Sequence, residues 1–225
     1  MTLCALDLFC GCGGSSHGLQ LAGLHVVGVD LVQSPRYCGD AFFKADVLSL
    51  PIGFFRTFDL IWASPPCQAH TVLKHAHNAK KHEDLIAATR ARLVASGVDY
   101  VIENVIGAPL INPFQLCGTS FNLRLPDGTE IWRHRLFETN FPVSAPQCAH
   151  RPGARVCGIY GSHFRDRRRP AGTNHRSGSN IDRVTALAAM GVPWMSVAEA
   201  SQAIPPIFAR FIALQWLNMH GRHAA

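Results

Sequence analysis

The sequence of 225 residues lacks any apolar run close to the roughly 20 residues that a membrane-spanning helix needs. It also lacks a secretory signal pattern, because Asp7 interrupts the first apolar residues. No internal repeat is found, which excludes a repeat array. These absences predict a soluble, intracellular protein with one core domain and a small lobe.

Surroundings typical of disulfides are also lacking for the eight cysteines. Cys4, Cys10, Cys12 and Cys67 lie in apolar or glycine-rich contexts, which favour a buried or a reactive thiol. We therefore expect all eight cysteines to be reduced.

Acidic residues are outnumbered by basic ones, 15 against 21, and the formal net charge is +6. Much of the excess is local, because eight arginines lie close together: Arg151, Arg155, Arg165, Arg167, Arg168, Arg169, Arg176 and Arg183. Concentrated positive charge favours a polyanionic partner, most simply nucleic acid. A solvated basic loop is the alternative, and composition does not separate the two.

Short apolar runs alternate with helical patterns in the first half of the chain. The sequence predicts strands at Ala5–Phe9, His25–Val29, Phe58–Ala63 and Asp99–Glu103, and helices near 16–22 and 84–96. This order is typical of a Rossmann-like α/β fold with a parallel sheet. Because such sheets bind ligands at the carboxyl ends of their strands, one cleft is expected to collect Phe9, Asp30, Asp46, Cys67 and Glu103.

The second half of the chain has a different pattern of predicted elements. Short strands are predicted at 118–121 and 135–138, around a turn at 126–128. The Gly-, Pro- and Arg-rich segment 139–180 is predicted to form an inserted lobe, which leaves 1–138 and 181–225 as the core domain. Helices are predicted at Asp182–Met190 and Val197–Leu217, the latter interrupted or restarted at Pro205 and Pro206.

Cys67 follows a predicted strand and two prolines, Pro65 and Pro66. Prolines fix the backbone around them, and a thiol in a fixed, partly polar setting can reach the low pKa that makes it a nucleophile. For an arbitrary cysteine, burial in a turn is the commoner state.

A glycine-rich turn (Gly11, Gly13, Gly14) separates the first predicted strand from the first helix. Such glycines allow a tight turn and close approach of a ligand to the backbone. Asp30, about 20 positions on, suits a ribose hydroxyl. The pattern fits NAD and S-adenosylmethionine alike.

Three motifs follow in the order Pro65-Pro66-Cys67-Gln68, Glu103-Asn104-Val105 and Arg133-His134-Arg135. With them the chain resembles the cytosine-C5 DNA methyltransferases. The family's first motif is similar to Asp7–Gly14 and its last to Ser201–Pro206, so the resemblance spans nearly the whole chain outside 139–180. It implies an S-adenosylmethionine-dependent methyltransferase sheet with a short target-recognition lobe. It further implies a monomer that acts on double-stranded DNA in the cytoplasm of a bacterial cell or a phage-infected host.

The resemblance also implies roles for the residues of the chemical centre. Cys67 adds to C6 of cytosine, which gives C5 the electron density to accept a methyl group. Glu103 binds N3 and the exocyclic amine as a carboxylic acid, and burial would raise its pKa accordingly. Arg135 holds O2 of the ring, Arg133 supports the cysteine loop or a phosphate, and Asn104 orients that loop.

For the cofactor, the resemblance selects S-adenosylmethionine. Phe9 stacks on the adenine, Asp30 binds the ribose hydroxyls, Leu31 packs on the base and Asp46 accepts from the adenine amino group; a turn residue is the alternative for Asp46. The other implied cofactor residues are Gly11, Gly13, Val47, Pro66, Gln202 and Ile204. Contacts to DNA, from which the target base must be flipped out, are expected from Gln68, Lys74, Arg165, Arg167, Arg168 and Arg169.

Three features depart from the family pattern. Ile131 stands where the family usually has Gln, and Ser201-Gln202 stand where it has Gly-Asn, although Gln202 still offers an amide. The recognition lobe is short, which leaves few residues to read base edges.

Histidines and cysteines raise two metal-site alternatives. The histidines at 70, 75, 77 and 82 lack an ordered ligand spacing. Cys148, His150 and Cys157 could bind zinc together with Cys117 or His163, but their spacing is irregular. The sequence therefore predicts no metal.

A DNA cytosine-C5 methyltransferase, as in restriction-modification, is the leading hypothesis for the function. Methylation of cytosine in transfer RNA and a catalytically inert DNA-binding role stay open as alternatives.

Overall fold

The computed structural model describes residues 2–66, 85–160, 163–166 and 181–221. The strands of this part of the chain are β1 (Cys4–Leu8), β2 (His25–Asp30), β3 (Ala41–Lys44), β4 (Leu60–Ala63), β5 (Asp99–Asn104), β6 (Phe114–Leu116), β7 (Arg135–Thr139), β8 (Cys157–Tyr160) and β9 (His163–Asp166). The helices are α1 (Gly14–Gln20), α2 (Ile52–Phe55), α3 (Ile86–Ser96), α4 (Arg183–Met190), α5 (Val197–Gln202) and α6 (Pro206–Met219).

Seven strands form one sheet in the order β3-β2-β1-β4-β5-β7-β6. Strands β1 to β5 run parallel, whereas β7 is antiparallel to both β5 and β6. The strand order reverses between β1 and β4, and open α/β sheets bind ligands in the crevice at such a point. The turn after β1 and the segment Ser64–Pro66 after β4 border this crevice. The predicted α/β class with a Rossmann-like sheet is confirmed.

Helices cover both faces of the sheet, because alternate residues of each strand point to opposite sides. On one face, α1 and α6 pack over Ala5, Trp62 and Val101. On the other, α3 and the short α2 pack over Leu6, Ile61 and Ile102. Strands with apolar residues on both faces read in the sequence as continuous apolar runs, which is why β1, β2, β4 and β5 are predictable.

Helices α1 and α6 lie in close contact. A Cβ on Gly18 of α1 would collide with the carbonyl oxygen of Pro206, and Leu19 packs in one core with Phe208 and Ile212 of α6. Glycine is therefore required at position 18 for the two helices to approach, and an element near the end of the chain completes the core begun by β1.

A second apolar core lies beneath the lobe segment. Cys157 and Ile159 of β8 pack with Leu125, Ile131 and the buried face of α4. Strand β9 pairs with β8 as an antiparallel two-stranded sheet. The lobe boundary at 139–180 stays a prediction.

The structure differs from the sequence prediction at the edges of the sheet. Residues Gly118–Phe121, predicted as a strand, form a 3-10 helix, with i to i+3 bonds from Ser120 N to Cys117 O and from Asn122 N to Thr119 O. That prediction is wrong, because the turn is closed locally and ends at Asn122 in the left-handed region. Strands β3 and β6, which the prediction does not include, are short edge strands with exposed positions.

Asp7 lies fully buried at the junction of β1 and α1. Its Oδ2 accepts hydrogen bonds from the hydroxyls of Ser15 (2.7 Å) and Ser16 (2.5 Å) in the first turn of α1. Burial outweighs these bonds and raises the pKa of Asp7 to about 7 from its ordinary 3.8.

We expect Asp7 to make the protein less stable as the pH rises. A carboxyl with a raised folded-state pKa contributes stability that is complete below its unfolded pKa and is lost as the pH passes its folded pKa. In the wild type this loss should amount to roughly 3–4 kcal/mol between about pH 4 and pH 8. Urea unfolding of wild type and Asp7→Asn across this range should show a fall that is larger in the wild type by this amount, because all other carboxyls are common to both. Parallel curves would contradict the assignment.

In the described part of the chain, no helix is both long enough and apolar enough to span a membrane.

Candidate active site

A buried carboxyl paired with an arginine lies at the carboxyl end of β5. Glu103 is 7% exposed, and Arg135 at the start of β7 approaches it with Nε 3.0 Å from Oε1. The antiparallel register sets Glu103 opposite Phe137, so Arg135, two residues earlier on the same face, reaches the carboxyl from the strand end. The structure thus brings together two residues that the resemblance assigns to one chemical centre.

The electrostatics of Glu103 favour its neutral form. Burial raises the pKa of Glu103, while the charges of Arg135 and Arg133 and a hydrogen bond with Ser64 lower it; the net direction is upward. A raised pKa is what a carboxyl needs to donate a proton near neutral pH. Ser64 has no place in the sequence prediction, since nothing in the local sequence shows that its side chain faces Glu103.

The segment Ser64–Pro66, which leads to Cys67, is fixed by hydrogen bonds to β5 and to β1. Asn104 Nδ2 donates to the carbonyl of Pro65 (3.0 Å), and its Oδ1 accepts from the Val105 N–H (2.9 Å). Ser64 is fixed by the Trp62 indole N–H (3.1 Å) and by its own N–H to the Leu8 carbonyl (3.1 Å). Asn104 therefore orients the chain just before the predicted nucleophile.

Several predicted residues lie outside the described residues. These are Cys67, Gln68, Lys74, Arg167, Arg168 and Arg169. Arg165 belongs to β9, of which only the backbone is described. Their roles stay predictions.

The Arg133 guanidinium binds backbone carbonyls of two segments that are far apart in the sequence. Its guanidinium donates to the carbonyls of Ala200 (3.2 Å), Ser201 (2.6 Å) and Ala203 (2.5 Å), and to that of Ile159 in β8 (3.1 Å). The first three are carbonyls at the C-terminal end of α5, which have no partners within that helix. A cation also interacts favourably with the negative end of a helix. Arg133 thus connects the end of α5 to β8, and its role in supporting the cysteine loop or a phosphate stays a prediction.

The glycine-rich turn after β1 has an unusual backbone. Phe9 and Gly11 adopt positive φ angles of 58° and 51°, and the Gly11 N–H donates to Asp30 Oδ2 (3.0 Å) across the ends of β1 and β2. A Cβ built on Gly11 would meet nothing within 4 Å. Glycine at position 11 therefore meets a backbone requirement and faces open space that a ligand can fill.

Apolar side chains are exposed beside this turn. Leu31 and Val32, directly after β2, are 62% and 71% exposed. Exposed aliphatic groups next to the carboxylate of Asp30 are suited to a ligand with both an apolar ring and hydroxyl groups.

Asp46 lies at the same edge of the sheet as Asp30. It follows β3, whose Lys44 pairs with Asp30, and the Ala45 N–H donates to the Asp30 carbonyl (3.1 Å). Asp46 Oδ1 accepts from the Leu48 N–H (3.0 Å) and caps a 3-10 helix at 47–49, while Val47 is buried. Capping accounts for one carboxylate oxygen of Asp46, as in the turn-residue alternative, and the residue is exposed.

The C-terminal motif packs against the N-terminus of α1. Ile204 is 4% exposed within the α1–α6 core, and its carbonyl would lie 2.7 Å from a Cβ on Gly14. The side chain of Ile204 is therefore packed in the protein interior, and its role toward the cofactor stays a prediction. Gln202 is exposed and bonds to Ser201 Oγ (3.4 Å).

Comparisons with known proteins find methyltransferases that are similar in part of the sequence or in fold. No family model matches the chain. The type II methyltransferase M.AplI of Arthrospira platensis is 33% identical over 81 residues, which is 31% of this chain and 21% of that relative. The chain therefore matches only about one fifth of the length of this curated relative.

The S. pombe Dnmt2 methyltransferase has a TM-score of 0.59 with this chain at 14% identity, over 97% of this chain and 99% of that one. The chain has a methyltransferase fold. A Spodoptera frugiperda DNMT2 mutant gives a TM-score of 0.42 at 20% identity, over 68% of this chain and 56% of that one. The predicted methyltransferase sheet is confirmed, and the family resemblance is borne out at the level of the fold. In this methyltransferase fold, Asp30 and Glu103 lie at the carboxyl ends of two strands that run in the same direction, β2 and β5.

Proposed function

We propose that the chain is a DNA cytosine-C5 methyltransferase that uses S-adenosylmethionine. The observation that carries the proposal is the buried Glu103–Arg135 pair at the end of β5, beside an Asn104-anchored segment that leads directly to a cysteine. A carboxyl with a raised pKa, a fixed guanidinium and a thiol are the three groups needed to activate C5 of a cytosine ring.

The residues around the glycine-rich turn after β1 fit S-adenosylmethionine. Open space at Gly11, the carboxylate of Asp30 and the exposed Leu31 match a nucleoside with ribose hydroxyls and an aromatic base. Phe9, Gly13, Asp46, Val47, Pro66 and Gln202 would complete the set of cofactor residues. When bound, S-adenosylmethionine supplies an electrophilic methyl group.

The protein side of the mechanism begins at Cys67. Its thiolate adds to C6 of the flipped cytosine, so that a C–S bond forms and the ring electrons shift toward C5. Glu103 gives its proton to N3 as negative charge develops there, and Arg135 binds O2. After C5 is methylated, a water molecule removes the C5 proton, the C–S bond breaks and the thiolate leaves. Glu103 recovers its proton from N3.

The basic segment 139–180 is the proposed target-recognition lobe. Its arginines would bind phosphates, which gives affinity for DNA without dependence on sequence. Arg133 would act as a positioning residue, since it binds α5 and β8 together next to Arg135.

Transfer of labelled methyl groups from S-adenosylmethionine to unmethylated double-stranded DNA tests the proposal. We expect incorporation at C5 of cytosine, read by sequencing of the product, and none into DNA whose cytosines already carry C5-methyl groups. Transfer RNA serves as the parallel substrate. Incorporation only into RNA would replace DNA as the substrate, and none into either, with the cofactor bound, would favour a DNA-binding role without catalysis.

A further inference from the structure

Two cysteines and two histidines converge at the β6–β7 edge of the sheet. Cys117 directly follows β6, His134 directly precedes β7, and Cys148 and His150 come from the segment after β7. One sulfur or ring nitrogen from each lies within 4.8 Å of the others. Cys117 Sγ is 3.1 Å from His150 Nε2, and Cys148 Sγ is 3.5 Å from His134 Nε2.

The two S–N distances, 3.1 and 3.5 Å, are close to the edge length of a metal-centred tetrahedron. With Zn–S near 2.3 Å and Zn–N near 2.0–2.1 Å, ligand atoms of a tetrahedral zinc site are about 3.3–3.8 Å apart. Thiolate and imidazole ligands together favour Zn²⁺ over hard cations such as Mg²⁺. We propose that Cys117, His134, Cys148 and His150 bind one structural Zn²⁺.

The surrounding groups already hold these ligands in place. Thr119 Oγ1 lies 3.1 Å from Cys117 Sγ and accepts from the Ala149 N–H (3.1 Å), while Gln115 Nε2 lies 3.6 Å from Cys148 Sγ. Partners of this kind orient metal ligands and tune their affinity.

The ring of His150 is fixed independently. It stacks on Trp132 with centroids 4.0 Å apart and planes inclined by 8°. The Trp132 indole N–H donates to Glu130 (2.9 Å), which is fully buried and also pairs with Arg151 (3.0 Å). The segment that carries His150 is therefore anchored by the stacking of its ring on Trp132 and by the ion pair of the next residue, Arg151, with Glu130.

Four protein ligands and no open position are typical of a structural zinc site rather than a catalytic one. Its effect would be to cross-link the segment after β7 to the end of β6 and the start of β7. His134 lies between Arg133 and Arg135, so the metal would fix the backbone from which Arg135 reaches Glu103. The metal displaces the protons of the two thiols, and two protons are released on binding.

The zinc site does not depend on the proposed catalytic activity. It also uses a different ligand set from the one considered in the sequence analysis. His134 joins the set, and Cys157 lies instead in the second apolar core. The side chain of His163 is not among those described.

Metal content of the full-length protein, purified under reducing conditions without chelator, is the first measurement. We expect one Zn²⁺ per chain by elemental analysis. Co²⁺ added to the metal-free protein should give the visible absorption of tetrahedral cobalt with thiolate ligands. Competition with a chromogenic chelator then gives the affinity for the metal.

Cys148→Ser is the informative variant, since Cys148 is exposed and its replacement does not disturb a core. Its zinc affinity should fall by more than the roughly 10- to 100-fold that loss of an outer-shell partner costs. Cys4→Ser, which removes a thiol outside the cluster, should keep the full metal content. His134→Gln provides a second ligand variant.

Substoichiometric zinc in the wild type would overturn the proposal. So would equal zinc affinity in Cys148→Ser and Cys4→Ser. A disulfide between Cys117 and Cys148 in protein kept under reducing conditions, detected by mass spectrometry, would also overturn it, because the thiols would then be unavailable to the metal.

Discussion

The Cys67→Ala variant is expected to lose methyl transfer by on the order of 10⁴-fold or more, because removal of a covalent nucleophile forces the reaction onto an unassisted path. Asn104 fixes the backbone at Pro65, two residues before this cysteine, and does not depend on the thiol. Binding of S-adenosylmethionine, measured by calorimetry, should therefore be unchanged. Single-turnover transfer to DNA measures the loss.

A DNA substrate with fluorine at C5 of cytosine provides a direct test of the adduct. A base can remove a proton from C5 but not a fluorine, so the thiolate cannot be eliminated after methyl transfer. The wild-type protein should therefore remain covalently attached through its C–S bond and migrate with the DNA on a denaturing gel. Cys67→Ala should give no such species, and Cys4→Ala should give as much as the wild type. Transfer by Cys67→Ala within tenfold of the wild-type rate would remove this cysteine from the mechanism.

Replacement of Glu103 with glutamine should lower methyl transfer by about 10²- to 10³-fold, the usual cost of losing one group that stabilises developing charge. Glutamine keeps the shape and the hydrogen-bonding capacity toward Arg135 but has no proton to give to N3. Affinity for the cofactor should be retained, since Asp30 and the glycine turn belong to other strands. Rates at saturating cofactor, with binding measured separately, make this distinction.

Glu138→Gln offers a matched control. Glu138 is also a buried carboxylate paired with an arginine, Arg90 Nε at 2.7 Å, but its register places it opposite Ile102, on the other face of the sheet. It should lower stability and leave the rate of transfer unchanged. Equal losses of rate in both variants would mean that Glu103 matters for the fold rather than for the chemistry.

Much of the fold could be predicted because the central strands are buried on both faces. All four residues of β4 and residues Tyr100–Ile102 of β5 are apolar and buried, and β1 is buried from Ala5 to Leu8 although Asp7 interrupts its apolar run. β3 and β6 could not be found in the same way. Both are short edge strands whose exposed positions break the apolar pattern, so only pairing with a neighbour defines them.

The candidate site was predictable where a residue lies at the end of a buried strand. Asp30 and Glu103 follow directly from that rule. The partners of Arg133 could not be predicted in this way, because its carbonyl acceptors at Ala200 and Ala203 lie about 70 residues further along the chain. His134 was likewise missed as a ligand: its neighbours Cys117 and Cys148 come into contact only through the antiparallel pairing at the sheet edge.

The contact between α1 and α6 has a consequence for how the protein is made. α1 is synthesised long before α6, and its Leu19 packs in one apolar core with Phe208 and Ile212 of α6. Domains fold as units, so the β1-α1-β2 segment keeps this surface uncovered until α6 has been synthesised. Such surface is what holding chaperones bind, and we expect a nascent chain halted before residue 206 to remain bound to them.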